Sequence, residues 1–285
     1  MKQVVLVSGK GGTGKSTIAA SLAQMIERKM LADLDVDAPN LHLLLKHDIR
    51  HKMDYYGAKV AQINPEKCIA CGRCRETCRF AAISPDYIVN PLACEGCAAC
   101  TVVCPTEAIQ LNEVKTGEHY ISDTSYGTFA HAKLAIGAEG SGKLVTAVRK
   151  SLFDYENGED LVLLDGSPGI GCVVIASITG TDTVVAVAEP TRSGLHDLKR
   201  VLSVASHFRV PACVCINKWD LNPAISDEIA DWCTEHHLPV IARFPFDGAV
   251  MEALKNNMTP LEAGVPGFTD ELKRFWTALQ QYLKK

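Results

Sequence analysis

The chain has no long run of like charge, and its formal net charge is −4 over 285 residues. Nucleic acid is held by clustered cations against its phosphates. No nucleic-acid partner is therefore expected. No apolar stretch reaches the roughly 20 residues that a bilayer span needs. No signal-peptide pattern precedes the apolar run Val4-Val5-Leu6-Val7. A cytoplasmic protein is expected. Hydrophobic residues make up 47%, ample for the core of one large or two small domains. There are 12 cysteines. In a reducing compartment that count points to metal rather than disulfides. Eight of the 12 lie between Cys68 and Cys104.

Gly9-Lys10-Gly11-Gly12-Thr13-Gly14-Lys15-Ser16-Thr17 follows the apolar run and precedes the helical run Ile18 to Ala23. Strand, glycine loop and helix are the context of a phosphate-binding loop. Gly9, Gly14, Lys15 and Ser16 meet the pattern G-x-x-x-x-G-K-[ST]. The backbone from Gly11 to Thr17 is expected to cradle phosphate at a helix N-terminus. Lys15 should reach the β- and γ-phosphates and Ser16 should hold Mg²⁺.

The second lysine, Lys10, resembles the deviant loop K-G-G-x-G-K-[ST] of the MinD/Mrp/nitrogenase-iron-protein ATPases. The resemblance implies a homodimer, or a heterodimer with a related ATPase, formed with nucleotide. It also implies that Lys10 crosses to the partner's nucleotide; the alternative is a solvated surface lysine. After a second short strand, Asp33-Leu34-Asp35-Val36-Asp37-Ala38-Pro39 matches the family's D-x-D loop. By resemblance Asp35 orients the attacking water and Asp33 supports Mg²⁺, the alternative being an acidic turn. Leu161 to Leu164 reads as a buried parallel strand ending in Asp165. Its carboxyl end is where ligands bind in open α/β sheets. Asp165 is expected to act on Mg²⁺ through water, with Gly169 responding to the γ-phosphate.

Asn217-Lys218-Trp219-Asp220 fits N-K-x-D, which reads guanine in GTPases. In the resembling ATPases an asparagine here contacts adenine. ATP is the expected nucleotide and GTP the minority alternative. Pro245, Phe246 and Asp247 are expected to frame the base.

Cys68-x-x-Cys71-x-x-Cys74-x-x-x-Cys78 recurs 26 residues later as Cys94-x-x-Cys97-x-x-Cys100-x-x-x-Cys104. Paired C-x-x-C alone permits zinc. The doubled spacing resembles a bacterial ferredoxin, in which the fourth cysteine of each run ligates the other cluster. That implies two [4Fe–4S] clusters, one on Cys68, Cys71, Cys74 and Cys104, the other on Cys94, Cys97, Cys100 and Cys78. Arg79 replaces the usual proline after Cys78. About 50 residues have little core of their own, so clusters would serve as one.

Helices are expected from Lys15 to about Arg28 and from Lys143 to Tyr155, and one reaching His207 that Ser193 can cap. The loop Gly137 to Lys143 nearly repeats the phosphate pattern. It has Leu144 in the Ser/Thr place, and no good strand precedes it. Cys172, Cys213, Cys215 and Cys233 read as small buried residues. A C-terminal helix from Thr269 to Leu283 carries an apolar stripe that normally packs on a sheet. As in MinD, it could instead touch a membrane.

The resulting expectation is an α/β P-loop NTPase with a mostly parallel sheet covered by helices (residues 1–62 and 113–285). A small ferredoxin-like domain is inserted at 63–112. By resemblance it is an ATPase coupled to two [4Fe–4S] clusters in ATP-gated electron transfer, serving a redox or iron–sulfur client. An iron–sulfur scaffold, as Mrp proteins are, and a MinD-like positioning ATPase remain as alternatives.

Overall fold

The computed structural model describes residues 1–284. The chain forms two compact units. One holds Met1–Met53, His119–Lys133 and the chain from Gly140 onward; the other holds Asp54–Glu118 and Leu134–Glu139.

In chain order the elements are β1 (Lys2–Ser8), α1 (Lys15–Met25), β2 (Lys29–Asp33), α2 (Leu41–Leu44), β3 (His47–Tyr55) and β4 (Ala58–Ile63). Then come α3 (Arg73–Thr77), α4 (Ala99–Val102), β5 (Ile109–Val114), β6 (Gly117–Thr124), β7 (Gly127–Leu134) and α5 (Gly142–Phe153). The chain continues through β8 (Leu161–Pro168), α6 (Cys172–Ile178), β9 (Thr183–Ala188), α7 (Arg192–His207) and β10 (Ala212–Asn217). It ends with α8 (Pro223–Glu235), β11 (Val240–Phe244), α9 (Gly248–Lys255) and α10 (Pro266–Leu283).

The large sheet runs β11-β10-β9-β1-β8-β2-β7-β6-β3. Its pairs from β11 through β7 are parallel. Central strands are apolar at nearly every position because both faces are covered. Val4, Leu6, Leu163, Val185, Cys213 and Cys215 share one core with α1 and α10, while α5, α6 and α7 pack on β2, β8 and β9.

Several expectations need correction. Helix α1 stops at Met25 because Ile26 turns extended (φ −81, ψ 129); Arg28 then adopts φ 46, and its carbonyl accepts from Asp160 N at 2.8 Å. The glycine loop at 137–142 does follow a strand, β7, whose Phe129 and His131 are buried. Helix α5 spans Gly142–Phe153, capped by the Ser141 hydroxyl accepting from Leu144 N. Thr191, not Ser193, caps α7, since its hydroxyl accepts from Gly194 N at 2.9 Å. Cys172 is exposed at the start of α6, whereas Cys213, Cys215 and Cys233 are buried. The stripe of α10 is turned inward, with Phe268, Leu272, Phe275 and Leu279 in the core, so that face is not free for a membrane. Among the described residues no helix is long and apolar enough to cross a membrane.

The cysteine unit is wider than residues 63–112 because β4 and β5 pair antiparallel from Ala58↔Val114 to Ile63↔Ile109 and frame it. Its buried core is small: Ala61, Cys74, Ile83 and Ile109 pack together, and Ala82 and Ala108 are also buried.

Candidate functional site

The glycine loop leaves β1 and enters α1 at Gly14, whose φ is 86. Only glycine takes that conformation cheaply. A Cβ there would also lie 2.2 Å from Asn217 Nδ2. No side chain caps α1, and its first turn carries no acid. The first amides thus keep their donors and positive potential for an anion.

Lys15 and Asp165 are 5% and 1% exposed. Lys15 Nζ lies 2.5 Å from Asp165 Oδ1 and 3.4 Å from Ser16 Oγ. Asp165 Oδ2 is buried without a hydrogen-bond partner among the described residues. Asp33 sits beside Asp165 in the β2–β8 register. Burial, then the Asp165 charge, pushes the Asp33 carboxyl up, while Lys15 and backbone amides oppose them. Its oxygens accept from the amides of Asp35 at 3.0 Å, Asn40 at 3.1 Å and Leu41 at 3.0 Å. Asp33 therefore folds the following loop. Burial also raises the Asp35 carboxyl, with Lys15 opposing and Asp165 adding to the rise. Gly169 N donates to Ser8 O at 2.8 Å, tying the end of β8 to β1.

A cleft of about 720 Å³ opens over the loop. Gly11 to Thr17, Asp35, Asp37 and Ser167 line its polar end; Leu43, Leu44, Phe246, Val250, Met251 and Leu254 line an apolar wall. Asn217, Lys218, Pro245 and Asp247 also reach it, whereas Asp33, Asp165 and Asp220 are not among its lining residues.

Asn217 Nδ2 donates to Thr13 O at 2.7 Å, and Lys218 Nζ to Gly12 O at 3.1 Å. Asp220 Oδ1 accepts from Phe246 N at 2.6 Å, and Asp247 Oδ1 caps α9 through Ala249 N. The N-K-x-D segment thus ties the glycine loop to the cleft's far wall. Lys10 Nζ lies 2.6 Å from Glu189 Oε1 and 3.3 Å from the hydroxyls of Thr191 and Ser193. Lys218 shares the second oxygen of Glu189 at 3.3 Å. Burial alone would raise the Glu189 carboxyl, but the two lysines outweigh it and lower its pKa.

The eight clustered cysteines line two separate small cavities. Cys68, Cys71, Cys74 and Cys104 line one; Cys78, Cys94, Cys97 and Cys100 line the other. The 26-residue repeat is also present in the backbone. Ala70 and Gly96, Gly72 and Ala98, and Ala81 and Glu107 are repeat-equivalent, and all have positive φ. Helix α3 begins at Arg73 and α4 at Ala99, again 26 apart. Ala82 N donates to Cys78 Sγ at 3.4 Å, and its equivalent Ala108 N to Cys104 Sγ at 3.3 Å. Among the described residues no three His, Cys, Asp or Glu side chains converge as a single metal ion would require.

The profile of the CobQ/CobB/MinD/ParA nucleotide binding domain matches residues 4–261. The chain belongs to this family. An uncharacterized protein of Methanocaldococcus jannaschii, MJ0578, is 28% identical over 99% of this chain and 97% of its own length. A second from that organism, MJ0579, is 26% identical over 78% of this chain and 82% of itself. The fold matches the septum site-determining protein MinD of Pyrococcus horikoshii, complexed with Mg-ADP, at TM-score 0.58 and 16% identity, covering 96% and 93% of the two chains. It also matches a ParA family ATPase of Chlorobium tepidum at TM-score 0.56 and 15% identity, covering 98% and 97%.

Within this MinD/ParA-type site, sequence reasoning missed three groups. Glu189 holds both lysines. Asp37 lines the cleft and accepts from Gly140 N at 2.7 Å. Leu43 and Leu44 build the apolar wall from one turn of helix. The acidic pattern after β2 pointed to the loop but not to these roles: the contacts Lys10–Glu189 and Asp37–Gly140 join residues far apart in sequence, and nothing in the local pattern turns Leu43 and Leu44 toward the cleft.

Proposed function

We propose that the protein is an Mg²⁺-dependent ATPase whose nucleotide cycle is coupled to two [4Fe–4S] clusters, in ATP-gated electron transfer. The observation that carries the cluster reading is the sorting of eight cysteines into two cavities, three plus one from each run. That is the exchange a doubled ferredoxin pattern requires. Each cysteine of such a cluster binds its own iron, so convergence on one point is not needed. The positive-φ alanines at 70, 81 and 98 each cost of order 1 kcal/mol. The buried core of this unit is small, and cluster bonds would add to its stability. The N–H···S bonds to Cys78 and Cys104 are of the kind that sets cluster potential.

For the nucleotide, Lys15 and the loop amides would bind the phosphates. Ser16 would hold Mg²⁺, and Asp165, with its unpartnered buried Oδ2, would hold the ion's water. Mg²⁺ supplies charge neutralisation on the phosphates. Asp35 on the cleft wall would orient the attacking water. Lys10 would act from a partner subunit after leaving Glu189. The apolar wall and the engagement of Asp220 by Phe246 N favour ATP over GTP.

Anaerobic purification with iron and sulfide analysis, then reduction and reoxidation with and without ATP, tests this. Absence of iron would remove the clusters; a rate indifferent to ATP would remove the coupling. The scaffold reading has its own observation, the exposure of Cys71 and Cys97, one in each set. Rapid loss of both clusters to an apo-acceptor would favour it over electron transfer.

A further inference from the structure

The chain passes between its two units at four places. Three fall inside strands: Met53/Asp54 in β3, Glu118/His119 in β6 and Lys133/Leu134 in β7. Strand backbone is held by ladder hydrogen bonds and moves little by itself. The fourth, Glu139/Gly140, falls in the glycine loop that precedes α5. Phosphate binding does not account for this loop, since Leu144 stands where an ion would need a hydroxyl.

The first residue after that crossing is bonded to the nucleotide cleft. Gly140 N donates to Asp37 Oδ1 at 2.7 Å. Asp37 lies on the cleft wall beside Asp35 and Ala38. The approach is close enough to require glycine: a Cβ at residue 140 would lie 2.5 Å from Asp37 Oδ1 and 2.7 Å from its Cγ. Gly140 is not in the left-handed region, so its backbone tolerates alanine. The obstacle to a side chain there is the Asp37 carboxylate itself.

The geometry points to the Asp37–Gly140 hydrogen bond as the link by which nucleotide in the cleft acts on segment 134–139 of the cysteine unit. This rests on the proposed nucleotide site. A triphosphate places negative charge on the polar end of the cleft, where Asp37 is also negative. Like charge drives the carboxylate onto the Gly140 amide, and a charge-assisted N–H···O⁻ bond is the stronger kind. The bonded form of the loop is thereby favoured with ATP and less so with ADP. A ligand shifts such an equilibrium only through its different affinity for the two forms. Here that difference is the position of one carboxylate.

The test is hydrogen–deuterium exchange on the whole chain with Mg²⁺ and ATP, ADP or neither. It compares the wild type, Gly140→Ala and the control Glu139→Ala, with ATP affinity measured calorimetrically on the same samples. In the wild type and the control, ATP is expected to slow exchange across 134–142 by about threefold or more, as expected for a local opening equilibrium. Compared at saturating ATP, Gly140→Ala is expected to lose most of that slowing, whatever the displaced Asp37 carboxylate costs in affinity. An unchanged ATP response in Gly140→Ala overturns the inference, as does a wild type that binds ATP without any change at 134–142. A wild type that binds no ATP overturns the inference together with the nucleotide reading. Iron content, measured separately, decides the cluster reading without touching this one.

Discussion

At the scale of single residues, charge is the governing quantity. Lys15 and Asp165 are an ion pair with both side chains almost fully buried. Removing one member leaves the other charged in a dry site, at a cost of roughly 3–5 kcal/mol. Lys15→Ala is therefore expected to lower unfolding free energy by about 3 kcal/mol and to abolish phosphate binding. A denaturant melt and a nucleotide titration on one sample check both. Asp35 gives a pH signature. Its carboxyl is raised by burial, with Lys15 pulling the other way. If ionised Asp35 orients water, ATPase activity falls as pH drops through that raised value. The acid limb of the rate profile should lie above the ordinary carboxylate range and vanish in Asp35→Asn. A limb at the ordinary position would count against this role. Lys10 and Lys15 were legible because a motif names them. Glu189 and Asp37 were not, because each acts through a contact that no local spacing encodes.

At the scale of elements, apolar pattern was the readable signal. It located β1, β8, β9, β10 and the inward stripe of α10. Phe275 in that stripe is wholly buried against the sheet. Phe275→Ala is expected to cost about 3–5 kcal/mol in a urea melt. Strand β3 was unreadable because His47-Asp48-Ile49-Arg50-His51-Lys52 is mostly exposed and carries no alternation of apolar residues. Strand β7 was equally obscure, since a histidine occupies a core position. His131 stacks on His42 of α2, Phe129 and Tyr120. Burial foremost, then His47 and His42, drops its pKa to about 3. A depressed folded value means the neutral ring stabilises the fold above the unfolded pKa near 6.5. That stability is lost as pH falls from there toward 3. The expected slope is about 1 kcal/mol per pH unit below pH 6. Thermal melts between pH 7 and 4 should show it, and His131→Phe should flatten it.

At the scale of the whole molecule, the chain forms two units. One presents the phosphate loop, the carboxylates and the cleft; the other presents paired sets of four cysteines. Each set takes its fourth cysteine from the other run, so if the proposed clusters are held there, a single substitution should damage one of them. Cys104→Ser is expected to lower iron and sulfide by roughly half, with the Cys78 set intact. The exposed Cys172 lies outside both sets, and Cys172→Ser should change neither. Loss of all iron in Cys104→Ser would mean that the two sites do not form independently.

The sequence by itself determined the phosphate loop, the cysteine spacing and the parallel α/β order. Each of these is written in neighbours or in a fixed short period. Only the tertiary structure decided that Asp33 spends its oxygens on the following loop, that Asn217 holds Thr13, and that Glu189 holds Lys10. It also decided that the cysteine unit reaches from Asp54 to Glu118. The physical reason is the range of the forces involved. A turn or a ligand run satisfies its backbone locally. A buried charge must find its partner wherever the sheet brings one, as Asp165 finds Lys15 across 150 residues of chain.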